Sequence, residues 1–147
     1  MVSLLSAEPR LAIIGTGGIA EFHVSAARAV GFQVTHVAGS DNSLTVKSFA
    51  EKCAIPNIWQ SSIDLVSKSS EWDALVLAQS TDAMVKLLGL AMDAGKPVLA
   101  EKPLAIRSDD LDDFDLDNPL VQVGFNRRFY DSVAAAKEFI ESGGPCF

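Results

Sequence analysis

Leu11-Ala12-Ile13-Ile14-Gly15-Thr16-Gly17-Gly18-Ile19-Ala20 is the stretch whose reading decides the fold. Four apolar residues, too few for a helical period, run into a glycine, and beyond Ala20 the pattern turns amphipathic. Strand, tight turn and helix is the order this predicts. In such a G-x-G-x-x-A loop the first glycine permits the turn, the second lets backbone approach a pyrophosphate, and the small sixth residue keeps helix close to strand. The helix N-terminus then offers free N–H groups and partial positive charge to phosphate oxygens. Gly15, Thr16, Gly17, Gly18 and Ile19 are therefore the candidate phosphate-binding residues. Glycines also serve plain strand-to-helix turns, so position carries the argument: this is the first βα turn of an alternating chain.

Outward from the loop, short apolar runs alternate with helix-like stretches to the end of the chain. Strands are expected at Leu11–Ile14, Gln33–Ala38, Asn57–Trp59, Ala74–Ala78, Pro97–Ala100 and Leu120–Gly124. Helices are expected at about Ile19–Val30, Leu44–Cys53, Ile63–Ser67, Asp82–Ala94, Asp109–Phe114 and Asp131–Ser142. The class is α/β, a doubly wound, mostly parallel six-stranded sheet with helices on both faces. Ser62 and Ser108 read as N-cap acceptors, and Gly31, Gly95 and Gly143 as C′ residues where positive φ costs little. On the last helix Phe129, Val133, Ala136 and Ile140 share one face, which predicts that they lie on the sheet as core.

The chain of 147 residues suits one core, and we read residues 1–147 as a single domain. With 48% hydrophobic and 21% charged residues the composition is that of an ordinary globular protein, and a formal charge of -7 argues against nucleic acid or anionic lipid as partner. No apolar run approaches the roughly 18 residues of a membrane span, and Met1 to Pro9 lacks the features of a leader, so a cytoplasmic protein is expected. Cys53 and Cys146, the two cysteines, are read as unpaired thiols. Six aspartates crowd Asp109 to Asp117, but without the central glycine and closing glutamate of a calcium loop they read as a solvated face.

In dinucleotide-binding sheets an acidic residue at the end of the second strand holds the adenosine ribose. Here that strand runs out as Val37-Ala38-Gly39-Ser40-Asp41-Asn42, with glycine straight after Ala38. Ser40 and Asp41 are the candidate ribose contacts, with Asn42 as a further neutral partner. No arginine stands here for a 2′-phosphate, so the cofactor is read as NAD or NADP.

Ala94-Gly95-Lys96-Pro97-Val98-Leu99-Ala100-Glu101-Lys102-Pro103-Leu104-Ala105 and Val123-Gly124-Phe125-Asn126-Arg127-Arg128-Phe129, at their spacing from the glycine loop, resemble the Gfo/Idh/MocA family of oxidoreductases. The resemblance runs from Arg10 to about Gly144 and implies the following. Glu101 and Lys102 close the fifth strand beside the nicotinamide, with Lys102 the catalytic residue near the substrate oxygen and Pro103 commonly in a cis peptide bond. Residues matching Asn126 and Arg127 face the cofactor and substrate cleft, while Arg128 also suits a surface role. Ala78, Gln79 and Ser80 stand where many members carry A-T-P after the fourth strand, and Met84 stands where they carry histidine. His23 matches a common family histidine and reads as structural.

Family members run to about twice this length, with a second domain that binds substrate, so the chain is expected to be the nucleotide-binding domain alone. The function this implies is the cofactor-binding part of a dehydrogenase of sugar- or cyclitol-like substrates, inactive by itself and associating as a homo-oligomer or with a partner chain. The alternative is a non-catalytic dinucleotide-binding module or sensor that acts through a protein partner.

Overall fold

The computed structural model describes residues 8–40, 43–115 and 117–143. Six strands, β1 (Arg10–Ile14), β2 (Gln33–Ala38), β3 (Asn57–Trp59), β4 (Ala74–Leu77), β5 (Val98–Ala100) and β6 (Val121–Val123), form one sheet in the order β3-β2-β1-β4-β5-β6. Every pairing is parallel. The order reverses at β1, so the chain winds outward in both directions from the strand that carries the glycine loop. Parallel pairing also gathers the carboxyl ends of all the strands along one edge.

Helices cover the sheet because its strands are apolar on both faces. α1 (Gly18–Ala29) and α2 (Thr45–Lys52) bury Ala20, Val24, Val46 and Phe49 against Leu11, Ile13 and Val37. On the other face α3 (Ser62–Ser67) and α4 (Thr81–Asp93) bury Leu65, Met84, Leu87 and Leu88 against Ala12, Ile14, Leu75 and Leu77. Trp72 is fully buried there, its indole N–H donating to the Leu65 carbonyl at 3.1 Å. At the amino edge the Arg10 side chain donates to both carboxylate oxygens of Asp73, at 3.1 and 3.0 Å, and its backbone N–H adds a third bond at 2.8 Å. These bonds hold the Asp73 carboxyl down at about 2.

Gly31, Gly95 and Gly143 all take positive φ just past helix ends, as expected. Other expectations fail. Ser61, not Ser62, caps α3 by accepting from the Asp64 N–H at 3.2 Å; the Ser62 hydroxyl is buried and donates to the Gly39 carbonyl instead. Asp109–Phe114 is not an α-helix but a 3-10 turn over Ser108–Leu111 that no side chain caps, and the Ser108 hydroxyl turns to Asp109. Four like charges within Asp109–Asp113 repel at helical spacing. All six aspartates of this run are exposed.

The largest departure is the last helix, α5 (Asp131–Glu141), in which no residue is buried. Phe129, Val133, Ala136 and Ile140 are exposed rather than core, Phe129 to 72%. A 3-10 turn over Asn126–Phe129 precedes α5, braced by the Arg128 guanidinium, which donates to the carbonyls of Val123 (2.9 Å) and Phe125 (3.1 Å). Periodicity tells which residues share a face, not what the face will meet. The sheet beside α1 is correspondingly open, a groove of about 480 Å³ lined by Ala26, Val30, Val76, Leu99 and Gln122 among others. Cys53 is a free thiol, and Cys146 lies outside the described residues. Among the described residues no helix is long and apolar enough to cross a membrane.

Candidate functional site

At the carboxyl edge β1 turns sharply under the end of β4. Gly15 has φ +121°, and a Cβ there would lie 2.1 Å from the Ala78 carbonyl oxygen. Only glycine fits, because both the conformation and the space exclude a side chain. The turn is stitched from both sides: the Gly15 N–H donates to the Ala38 carbonyl at 2.8 Å, and the Ala78 N–H to the Ile14 carbonyl at 2.7 Å. Gly17 then takes the N-cap position of α1, with no side-chain cap. The first N–H groups of a helix have no intrahelical partner, so these face outward with the positive end of the helix dipole. Cβ atoms at Gly17 or Gly18 would meet nothing within 4 Å. Ile19 is exposed and Ala20 fully buried, so Ala20 seats the helix on the sheet.

Around this loop three further groups assemble. Thr16 Oγ1 lies 2.7 Å from Thr45 Oγ1, which lies 2.9 Å from Ser43 Oγ, a chain of hydroxyls from the glycine loop to the start of α2. At the end of β4 the Gln79 amide donates to Ser62 Oγ at 2.9 Å, and Ser62 in turn holds the Gly39 carbonyl at the end of β2. Ser80 is the exposed N-cap residue of α4. Ser40 is exposed just past β2, while Asp41 and Asn42 lie outside the described residues.

At the end of β5 the Glu101 carboxylate is held by His23 Nε2 of α1 at 2.8 Å and accepts the Lys102 N–H at 3.3 Å. It lies against Gly124, where a Cβ would come within 3.0 Å of it. The Lys102–Pro103 peptide bond is cis, as the resemblance implies. Lys102 is exposed and shares a cleft of about 560 Å³ with Phe125, Asn126, Arg127 and Tyr130. Arg128 stands apart at the surface between the rings of Phe125 and Phe129.

The edge thus has two ends, a glycine loop with hydroxyls around β1 and β2, and a cationic cleft around β5 and β6. Sequence reasoning missed Ser43, Thr45 and Ser62. Ser62 carried a signal, but it read as a helix cap. The partnership of His23 with Glu101 joins residues 78 positions apart, and no local pattern reports it.

Comparison with known proteins agrees with this fold. The inositol 2-dehydrogenase of Rubrobacter xylanophilus is 31% identical over 138 residues, which cover 89% of this chain and 39% of that enzyme. That of Mycolicibacterium gilvum is 32% identical over 143 residues, 91% of this chain and 40% of the enzyme. The chain therefore spans about 40% of the length of these relatives. Among solved structures, myo-inositol dehydrogenase from Lactobacillus casei in complex with NAD(H) and myo-inositol superposes with a TM-score of 0.80 at 23% identity, over 93% of this chain and 42% of that one. A probable dehydrogenase from Thermotoga maritima gives 0.76 at 24% identity, over 91% of this chain and 41% of that one. Residues 9–115 match the Gfo/Idh/MocA profile, described as an oxidoreductase family with an NAD-binding Rossmann fold, and the chain belongs to that family.

Proposed function

We propose that the chain binds NAD or NADP along the carboxyl edge of the sheet and forms the nucleotide-binding domain of an oxidoreductase acting on a hydroxyl or carbonyl carbon of a sugar- or cyclitol-like substrate. The observation that carries this is the glycine loop: Gly15 fits under Ala78 only without a side chain, and above Gly17 and Gly18 the space at the N-terminus of α1 is open. A pyrophosphate needs backbone N–H groups, positive potential and room, and these residues offer all three. The relatives named above as inositol dehydrogenases support the substrate class.

The residues divide the work. Gly15, Thr16, Gly17, Gly18 and Ile19 hold the phosphates. Ser40 and, outside the described residues, Asp41 are the proposed contacts of the adenosine ribose, while Ala78, Gln79 and Ser80 flank the dinucleotide at the end of β4. When bound, the cofactor supplies hydride transfer. Lys102 is the catalytic residue: its ammonium donates to the substrate oxygen and stabilises the charge that develops there. Glu101 positions the Lys102 backbone, and Asn126 and Arg127 orient groups in the cleft they share with it. Turnover also needs a wall on the far side of that cleft and a second acid/base group, which the described residues do not supply. The purified chain is therefore expected to bind cofactor with little or no turnover.

Calorimetry with NAD and NADP tests the proposal. Micromolar binding of either is expected, and Gly17→Val should abolish it by filling the open space. Unchanged affinity in that variant overturns the site.

The second reading, a non-catalytic dinucleotide module acting through a protein partner, is favoured by Met84, which stands at the family's histidine position and is buried in the core of α4, out of reach of a substrate. Oxidation of any member of a sugar and cyclitol panel excludes it. The exposed apolar residues of α5 support association, and light scattering should give about twice the 15.6 kDa chain mass.

A further inference from the structure

We propose that Phe125 and Tyr130 form an aromatic platform that seats the C–H face of a saturated six-membered ring, and so selects cyclic polyols over open-chain ones. This rests on the oxidoreductase reading above and gives a role to two residues that it leaves without one. Both side chains stand half in water, Phe125 exposed to 53% and Tyr130 to 54%, although bare aromatic surface is costly there. Both border the cleft of about 560 Å³ that Lys102, Asn126 and Arg127 also line, a volume within the range of small-molecule sites.

The polar side of the cleft is equally open. Among the described residues the side chains of Lys102, Asn126 and Arg127 are in no ion pair and no hydrogen bond. Bare rings beside free donors fit a ligand with two kinds of surface. A pyranose or cyclitol has both: hydroxyls project around its rim, and a face that carries only axial hydrogens is apolar. Oxygens on the same carbons make those hydrogens positive, and the face of an aromatic ring is negative. Lys102 and Arg127 only donate, while the Asn126 amide donates and accepts, so together they match hydroxyls, which do both. An open-chain polyol has the same hydroxyls, but it presents no fixed apolar face and loses torsional freedom on binding.

The platform is set before any ligand arrives. The Phe125 N–H donates to the Val123 carbonyl at 2.7 Å, and the Phe125 carbonyl accepts from the Arg128 N–H at 3.2 Å and Arg128 Nε at 3.1 Å. The Arg128 guanidinium also lies over the Phe125 ring, 5.9 Å from its centre. The Tyr130 N–H donates to the Arg127 carbonyl at 3.1 Å, and the Tyr130 carbonyl accepts from the N–H groups of Val133 and Ala134 at 2.9 and 3.0 Å. Backbone held on both sides of each ring leaves little freedom to lose when a ring polyol docks.

Saturation-transfer difference NMR on the purified chain, with and without NADH, tests this with scyllo-inositol, sorbitol and methyl β-glucoside as probes. The first two carry the same number of hydroxyls and differ in the ring. scyllo-Inositol should bind about tenfold more tightly than sorbitol, and the protons on one face of methyl β-glucoside should receive about twice the saturation of those on the other. Phe125→Ala and Tyr130→Ala should each weaken scyllo-inositol by about fivefold to tenfold and sorbitol by less than about twofold, with circular dichroism confirming the fold. Tyr130→Phe, which keeps the ring, should retain binding. Equal affinity for scyllo-inositol and sorbitol overturns the platform, as does unchanged binding in both alanine variants or equal loss of both polyols. So does the absence of saturation transfer to any probe at about 50 mM, a concentration that weak single-site contacts would still register. Because the titrations also run without cofactor, a chain that seats ring polyols but binds no NADH or NADPH overturns the dinucleotide reading and leaves the platform standing.

Discussion

α4 and α5 carry nearly the same apolar spacing and come to opposite ends. In α4, Met84, Leu87, Leu88 and Ala91 are all at most 2% exposed; in α5, Val133, Ala136 and Ile140 all face solvent. α4 leaves the end of β4 by a short connection and lies back on the strands it has just left. α5 leaves β6 through the Arg128-braced turn and buries none of its residues. Among the described residues every fully buried apolar residue stands at or before Ala100. The difference teaches that a stripe becomes core only when the topology supplies a second surface, since burial stabilises by about 25 cal/mol per Å² only where apolar area leaves water.

The contrast should break most visibly in stability. Leu88→Ala, at a site with no exposure, should cost about 3 to 5 kcal/mol in urea unfolding by leaving a cavity. A cost under about 1 kcal/mol would mean that the α4 face is not packed as described. Gly15→Ala, at the junction of β1 and β4, should cost about 2 to 4 kcal/mol, because a Cβ would collide with the Ala78 carbonyl and positive φ disfavours alanine. It should also remove cofactor binding, which Leu88→Ala should weaken only through stability.

A smaller effect is expected in acid. The Asp73 carboxyl is held at about 2 by Arg10, below the ordinary carboxylate range, so the unfolded chain takes up its proton first as pH falls. The contribution is present above about pH 4 and is lost between about pH 4 and pH 2. Because the pair is partly solvated, the loss should be modest and should shrink in high salt. Asp73→Asn should flatten that part of the stability–pH curve, and an unchanged curve would show that the pair contributes nothing measurable.

The smallest effect sharpens the comparison. Phe139→Ala and Ile140→Ala should each change stability by no more than about 0.5 kcal/mol, the usual range for surface positions. A cost of about 2 kcal/mol or more would show that α5 finds a surface in solution, and the open groove beside Ala26, Val76 and Leu99 is where it would be sought.

Much of this was legible before the fold. The strand, glycine loop and helix around Gly15, the parallel alternation and the positive-φ glycines at helix ends follow from local chemistry. Each rests on residues within a turn or so of one another, where sterics and backbone hydrogen bonds leave few choices. The expectations that failed have separate causes. Ser62 reads locally as a helix cap, yet Ser61 takes that place, and the Ser62 hydroxyl donates to a carbonyl 23 positions away while accepting from the Gln79 amide. Asp109–Asp113 reads as a helix start, yet crowded charges with no cap stop it after one turn.

By itself, then, the sequence determined where backbone turns, which residues share a face, and that a glycine turn leading into a helix follows the first strand. Tertiary structure alone decided what each face meets: that His23 reaches Glu101, that Ser43 occupies the space beside Gly39, and that the stripe on α5 stays in water. The physical reason is range. Dihedral preferences and helical spacing act within about four residues, whereas packing depends on which strands the parallel order sets side by side.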